Sequence, residues 1–370
     1  MSIPFAKPYF SAEARRGICK DIDAILSSGR LMLGEFTSKF EAGFASYIGS
    51  STAVTTNSCT TALQISLMHH DVQNAEVLVP DASFLTDVSS VRWAGGVPVL
   101  VDTDPETLSF DLDDLKRKLT ARTKGIIWVH LTGMISPAWR DIVKFARDHG
   151  LFLIEDCAHA HGASVDGIKA GTIGDVGCFS FYPTKPMTTG TGGILTTNDA
   201  ALEKSARELR LFGRENGVGT VVREGNDWFM DEIRACLGYY QLLELDSALA
   251  RRRAIADRYN SKLHAISGLK LLHIPEGNLP TWYHYTVFIA PDVDYDSLRD
   301  RLKEGYGIPT KPIYLPLHQE KIFRDLDDGT FANTELTLNR SLCLPLFPEM
   351  EDKQVDYIVS ALGGLLADPK

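Results

Sequence analysis

The run LFLIEDCAHAHGASVDGIKAGTIGDVGCFSFYPTKPMTTGTGGILTT, residues 151–197, decides the fold. It contains three short apolar segments: LFLIED (151–156), VGCFSF (176–181) and GGILTT (192–197). Three more lie upstream: EVLVP (76–80), VPVLVD (97–102) and GIIWVH (125–130). Continuous apolar runs of this kind suit strands buried on both faces. Helical patterns separate them. Between GIIWVH and LFLIED, Ser136 is placed to cap a helix, Pro137 fits its first turn and Gly150 can end it. Strand–helix alternation predicts an α/β fold with a mainly parallel central sheet sandwiched by helices.

After residue 230 the texture changes. MDEIRACLGYYQLLELDSALARRRAIADRYNSKL reads as one long helix or two consecutive ones. HYTVFIAP, a Pro-rich stretch from Pro309 to Pro316 and a terminal helix from about Asp352 follow. This predicts a large domain over residues 1–245 and a smaller C-terminal α+β domain over 246–370. The N-terminal segment is open to packing with either. A chain of 370 residues is long enough for both.

The formal charge of −10 is poor equipment for holding a nucleic-acid backbone. It leaves room for a small anion held by local amides. Six scattered cysteines, without a CxxC pair, read as free thiols in a reducing compartment. The start MSIPFAKPYF has no apolar signal region, and no apolar run approaches the roughly 18 residues of a membrane span. The expectation is a soluble cytoplasmic protein with neither nucleic acid nor membrane as partner.

Three places can carry chemistry. In TNSCTTALQISLMHH, Asn57 or Ser58 can cap a helix with Ala62, Leu63, Leu67 and Met68 on its apolar side. Such a start exposes unpaired amides and favours an anion, although capping residues are common at ordinary helix starts. In LIEDCAHAHG, Asp156 ends a strand, where open α/β sheets place their ligands. Cys157, His159 and His161 alternate and would face one way if extended, so a metal site is the rival reading. In FSFYPTKPMTTGTGG, Lys185 follows a strand and precedes Thr188, Thr189 and a Gly-rich stretch. This is neither a Walker loop nor GxGxxG, and neither HExxH nor GxSxG occurs. Together, a helix start for a phosphate, a carboxylate for a protonated ring nitrogen and a lysine for an aldehyde are what pyridoxal 5'-phosphate requires.

The chain resembles the DegT/StrS-type sugar aminotransferases, fold type I pyridoxal-phosphate enzymes. The likeness runs from SSGRLMLG through VPDASFLTD, PVLVDTDPETLSFD, VHLTG, IEDCAHAHGA, GDVGCFSFYPTK and TGTGGILTTND to MDEIRACLGYYQLLELD, IYLPLH and LCLPLFPEM. It implies Lys185 as the Schiff-base lysine and proton shuttle, Asp156 at the pyridine nitrogen and His159 beside the ring. It implies Phe84 stacked on the ring face, Ser180 on the phosphate, and Ser58, Cys59 and Thr60 as the phosphate cup. Cys59 stands where the family usually has glycine.

The chain also departs from the family pattern. Before the long helix the family often reads Gly-Tyr-Asn-Tyr-Arg-Met, whereas this chain has Gly225-Asn226-Asp227-Trp228-Phe229-Met230. The family's asparagine reaches the phosphate from the neighbouring subunit. Here Asp227 occupies that place, with Asn226 one residue away, and a carboxylate there would repel a phosphate. Phe229 replaces an arginine, and Met134 stands where a polar residue commonly follows VHLxG. The resemblance implies a homodimer with shared sites that moves an amino group from L-glutamate or L-glutamine to a keto sugar, most often nucleotide-linked. Two alternatives stay open. One is an aminotransferase for a smaller carbonyl compound, a cyclitol or polyol phosphate. The other is a non-catalytic cofactor-binding regulatory protein. Lys185 speaks against the related 3-dehydratase branch, which has histidine there.

Overall fold

A computed structural model describes residues 3–217 and 219–367. Its main sheet has seven strands in the order Thr52–Thr56, Gly193–Thr197, Val176–Ser180, Phe152–Asp156, Thr123–Val129, Glu76–Pro80 and Val97–Val101. Gly193–Thr197 runs antiparallel to both neighbours, and the other pairings are parallel. All six expected apolar runs are strands of this sheet. Glu76–Pro80, Phe152–Asp156 and Gly193–Thr197 are buried at every position, which accounts for their unbroken apolar character.

In the seventh strand, Thr52–Thr56, three of the five residues are threonine. Its burial is satisfied by a carboxylate: Thr55 N and Oγ1 both donate to Glu41 Oε1, at 2.9 and 2.8 Å, and Arg210 neutralises that carboxylate. The helix expected from Ser136 begins later, at Trp139, and ends at Asp148. Ser136 forms a turn ahead of it, accepting from Ala138 N through Oγ and from Trp139 N through its carbonyl. Gly150 does close the segment, at φ +64°.

Three parallel strands end at one edge, where Asp156 lies between Val129 and Cys178 in register. Adjacent strand residues face opposite sides. Glu155 therefore points away from Asp156. It accepts the amides of Gly171, Ile173 and Gly174 at 2.9, 2.7 and 2.7 Å and meets His130 Nε2 at 2.8 Å.

The stretch expected to be one helix or two is a single helix, Glu232–Leu263, capped by Asp231. Its 32 residues span about 48 Å. Ala235, Cys236, Leu245 and Leu249 pack with the main-sheet core. Ile255, Ala256, Tyr259 and Leu263 pack with a second sheet (Leu269–Leu271, Tyr285–Ile289, Ser341–Leu344) and the terminal helix Asp352–Ala367. Ile3 joins this second core. Among the described residues, no helix is long and apolar enough to cross a membrane.

Candidate active site

A cavity of about 420 Å³ opens at the carboxyl edge of the parallel strands. Asp156, Lys185, Ser180, His159, Phe84 and the Ser58–Thr60 helix start all line it. Residues scattered over 128 positions of sequence thus share one space.

The helix Cys59–His69 presents its first turn to this cavity. Ser58 is the cap, accepting from Thr61 N at 3.1 Å. The amides of Cys59 and Thr60 have no acceptor within the helix, as at any helix start. Gly193 makes the cup possible from the other side. A Cβ there would overlap the Ser58 carbonyl carbon and the Cys59 amide nitrogen. Ala62, Leu63 and Leu67 are buried as expected, while Met68 is exposed. The Cys59 side chain finds room in the interior, where Sγ approaches Asp156 Oδ1 at 3.8 Å and burial pushes the thiol well up.

Lys185 sits in a turn closed by its amide to Tyr182 O at 3.0 Å. Its Nζ lies 4.4 Å from the centre of the Tyr283 ring. Burial draws its ammonium down to about 8, against the attraction of Asp156. Asp156 is 6% exposed and accepts from Ala158 N at 2.8 Å through Oδ1. Burial raises its carboxyl, opposed by that amide and by Lys185. His159 Nε2 meets Tyr314 Oη at 2.9 Å, and its ring lies 4.2 Å from that of Tyr283. Burial first, then Lys185, hold His159 well below its usual range, so it is neutral. Phe84, 44% exposed, offers a ring to the cavity 5.4 Å from Tyr314. Behind them, Asp81 binds His318 through its backbone amide at 2.8 Å and through Nδ1 at 2.7 Å. That pairing ties the segment carrying Phe84 to the one carrying Tyr314.

Other expectations need correction. Cys157, His159 and His161 do not face one way, because the chain leaves the strand in turns closed by Ala160 N to Cys157 O and Ala163 N to Ala160 O. His161 packs against Phe179 and Phe181. Cys157 instead groups with His130 and Glu155. The oxygens of Glu155 are already engaged by three amides and His130. Met134 is buried in the core and does not line the cavity. Asn226 and Asp227 are exposed and lie outside the cavity of their own chain. Their loop is latched to the helix start, through Asn57 N to Trp228 O at 2.8 Å and Asn57 Nδ2 to Asp227 O at 3.2 Å. Sequence reasoning missed Thr184, Tyr283, Lys311, Tyr314 and, behind the cavity, Asp87. The resemblance segments IYLPLH, VPDASFLTD and GDVGCFSFYPTK, which contain Tyr314, Asp87 and Thr184, were the available signals.

The arrangement fits pyridoxal phosphate. Open amides at a helix start suit a phosphate, Asp156 lines the cavity, and a lysine of lowered basicity stands beside aromatic rings. A lysine, a strand-end acid and an amide cup on this sheet define a fold type I pyridoxal-phosphate aminotransferase. Relatives narrow the class. The profile of the DegT/DnrJ/EryC1/StrS aminotransferase family matches residues 13–363, and the chain belongs to that family. It is 33% identical over 354 residues to the GDP-perosamine synthase of Caulobacter vibrioides, covering 94% of this chain and 93% of that one. It is 32% identical over 365 residues to the dTDP-3-amino-3,4,6-trideoxy-alpha-D-glucose transaminase of Micromonospora megalomicea, covering 95% and 96%. The solved PLP form of Spr1654 from Streptococcus pneumoniae superposes with a TM-score of 0.93, at 26% identity and full coverage of both chains. The protein is a pyridoxal-phosphate-dependent aminotransferase.

Proposed function

We infer that the enzyme moves an amino group from L-glutamate or L-glutamine to the carbonyl carbon of a nucleotide-linked keto sugar. The carrying observation is that Lys185 and Asp156 face one cavity with the Ser58–Thr60 amides. The acceptor class is supported by the two relatives whose names carry GDP- and dTDP-linked amino sugars.

Bound pyridoxal phosphate supplies an aldehyde and an electron-withdrawing ring. Lys185 would hold that aldehyde and, once free, would carry the proton at the substrate carbon. Asp156 keeps the ring nitrogen protonated. The Cys59 and Thr60 amides and the Ser180 hydroxyl hold the phosphate. Phe84 and neutral His159 line the same cavity and would flank the ring. Lys311, half-buried in the cavity wall, returns a cation that Phe229 does not supply, and serves a substrate carboxylate or phosphate. In this reading residues 1–245 carry the cofactor and 246–370 cover it. Two chains form a homodimer in the cytoplasm, each lending the Asn226–Asp227 loop to its partner's phosphate cup. Six free cysteines fit a reducing compartment.

The test is a two-stage titration of the cofactor-loaded protein. L-glutamate or L-glutamine should abolish the visible cofactor band, and a nucleotide-linked keto sugar should restore it. Restoration only by a cyclitol or polyol-phosphate carbonyl compound would reject the sugar reading. No response to any donor would reject turnover altogether.

A further inference from the structure

Arg252 lies in the long helix Glu232–Leu263 and is 4% exposed. A buried charge needs polar partners, and among the described residues no carboxylate supplies one. Its partners are three successive backbone carbonyls. Nε donates to Thr281 O at 3.2 Å, and Nη2 donates to Trp282 O and Tyr283 O at 2.7 and 3.0 Å. The next residue, Arg253, adds Nε to Pro280 O at 3.2 Å.

An extended chain turns successive carbonyls to opposite sides. Here three in a row reach one guanidinium, and the middle residue, Trp282, is left-handed at φ +52°. A bulky side chain rarely adopts that conformation, so the surroundings have to hold it. The turn is held from two sides. Arg252 gathers the carbonyls. Opposite, Thr281 N donates to Gly133 O and Tyr283 N to Thr132 O, both at 3.0 Å, and Thr281 Oγ1 donates to His159 O at 2.6 Å. Gly133 leaves the room for this, since a Cβ there would overlap Thr281 Oγ1 and His159 O. The turn sends Trp282 into the second core, where its ring lies 5.3 Å from that of Tyr285. It sends Tyr283 to the cavity, beside Lys185 Nζ.

We propose that Arg252 is a positioning residue: by collecting the Thr281, Trp282 and Tyr283 carbonyls it fixes the left-handed turn that holds the Tyr283 ring against Lys185. Arg252 is not part of the cavity wall, so it acts through the turn. A planar fork of donors in fixed geometry suits several carbonyls at once better than a point-like ammonium does. The charges that act on Lys185 itself come from Asp156, Cys59 and Asp87, none of which Arg252 contacts. The effect on cofactor capture rests on the role given to Lys185 above; the placement of the turn does not.

Hydrogen exchange of cofactor-free protein, read peptide by peptide, tests the placement. In Arg252→Met the amides of residues 280–284 should exchange at least roughly tenfold faster, while those of Phe152–Asp156 keep their wild-type rates. No change at 280–284, or a rise spread evenly over the chain, overturns the proposal. The pH dependence of pyridoxal-phosphate capture tests the consequence. Arg252→Met should lower its midpoint by up to about one unit, as losing the Tyr283 ring does, and should lower it no further when Tyr283 is already leucine. An unchanged midpoint, or shifts that add in the double variant, overturns action through Tyr283. Should Arg252→Met fail to fold, Arg252→Lys keeps the charge without the fork and should show both changes at smaller amplitude; neither change overturns the proposal. A wild-type protein without any capture midpoint would count against Lys185, and the exchange result would then decide the placement alone.

Discussion

The Tyr283 ring lies 4.4 Å from Lys185 Nζ, and its hydroxyl meets Thr184, the residue before that lysine, at 2.8 Å. One tyrosine thus fixes both the charge environment of the lysine and the loop that carries it. A ring face favours the ammonium form, while burial favours the neutral amine.

Replacing Lys185 by alanine should abolish the visible band formed with pyridoxal phosphate and cut turnover by at least roughly a thousandfold. Absorption spectra and steady-state rates check this. A band that survives unchanged would remove Lys185 from its role.

The neutral amine is the nucleophile, so cofactor capture should speed up as pH rises through about 8, where burial has placed Lys185. Losing the ring in Tyr283→Leu should shift that midpoint down, by up to about one unit, while Tyr283→Phe keeps it in place. Stopped-flow absorbance across pH 6–10 reads both.

Lys311 borders the cavity and lies 5.2 Å from the Phe5 ring. Lys311→Met should raise KM for the anionic substrate about tenfold, with a smaller change in kcat. A loss confined to kcat would move Lys311 from binding to chemistry.

Burial lowers His318, but hydrogen bonds and charge from Asp81, with Glu335, push it up to about 8. A histidine held above its unfolded value stabilises the fold fully below about 6.5 and loses that contribution as pH rises through about 8. The melting-temperature advantage of wild type over His318→Gln should therefore shrink between pH 6 and pH 9. A constant gap would place the effect in packing alone.

If the Asn226–Asp227 loop serves the partner's phosphate, Asp227→Asn removes a repelling carboxylate and should tighten cofactor binding several-fold in the dimer. Equilibrium dialysis decides, and an unchanged affinity would leave the loop outside the site.

Much of the sheet was legible because its strands are buried on both faces and so read as unbroken apolar runs. Thr52–Thr56 was not, because three of its five residues are threonine, with Thr55 satisfied by Glu41 and the distant Arg210 and Thr56 by the Ser58 carbonyl. The Ala12–Ser28 helix buries only Ala14, Ile18 and Ile25, too thin a stripe to read clearly. At the site, Lys185, Asp156 and the helix start announced themselves through neighbouring motifs. Tyr283 and Lys311 did not, because nothing local distinguishes them. Only the packing of the second core against the first brings them to the lysine. The Cys157–His159–His161 alternation misled because period-2 reasoning holds only while a strand continues, and this one ends at Asp156.

The adjacency of Glu155 and Asp156 also has a meaning for assembly. Slipping this strand by one position would exchange the two carboxylates between faces. It would deprive three loop amides of their acceptor. Glu155, which touches no part of the cavity, thus proofreads the fold on behalf of its neighbour. A chain that mispairs here forfeits several buried hydrogen bonds at once, so a mis-registered copy fails to fold before it can present a defective site.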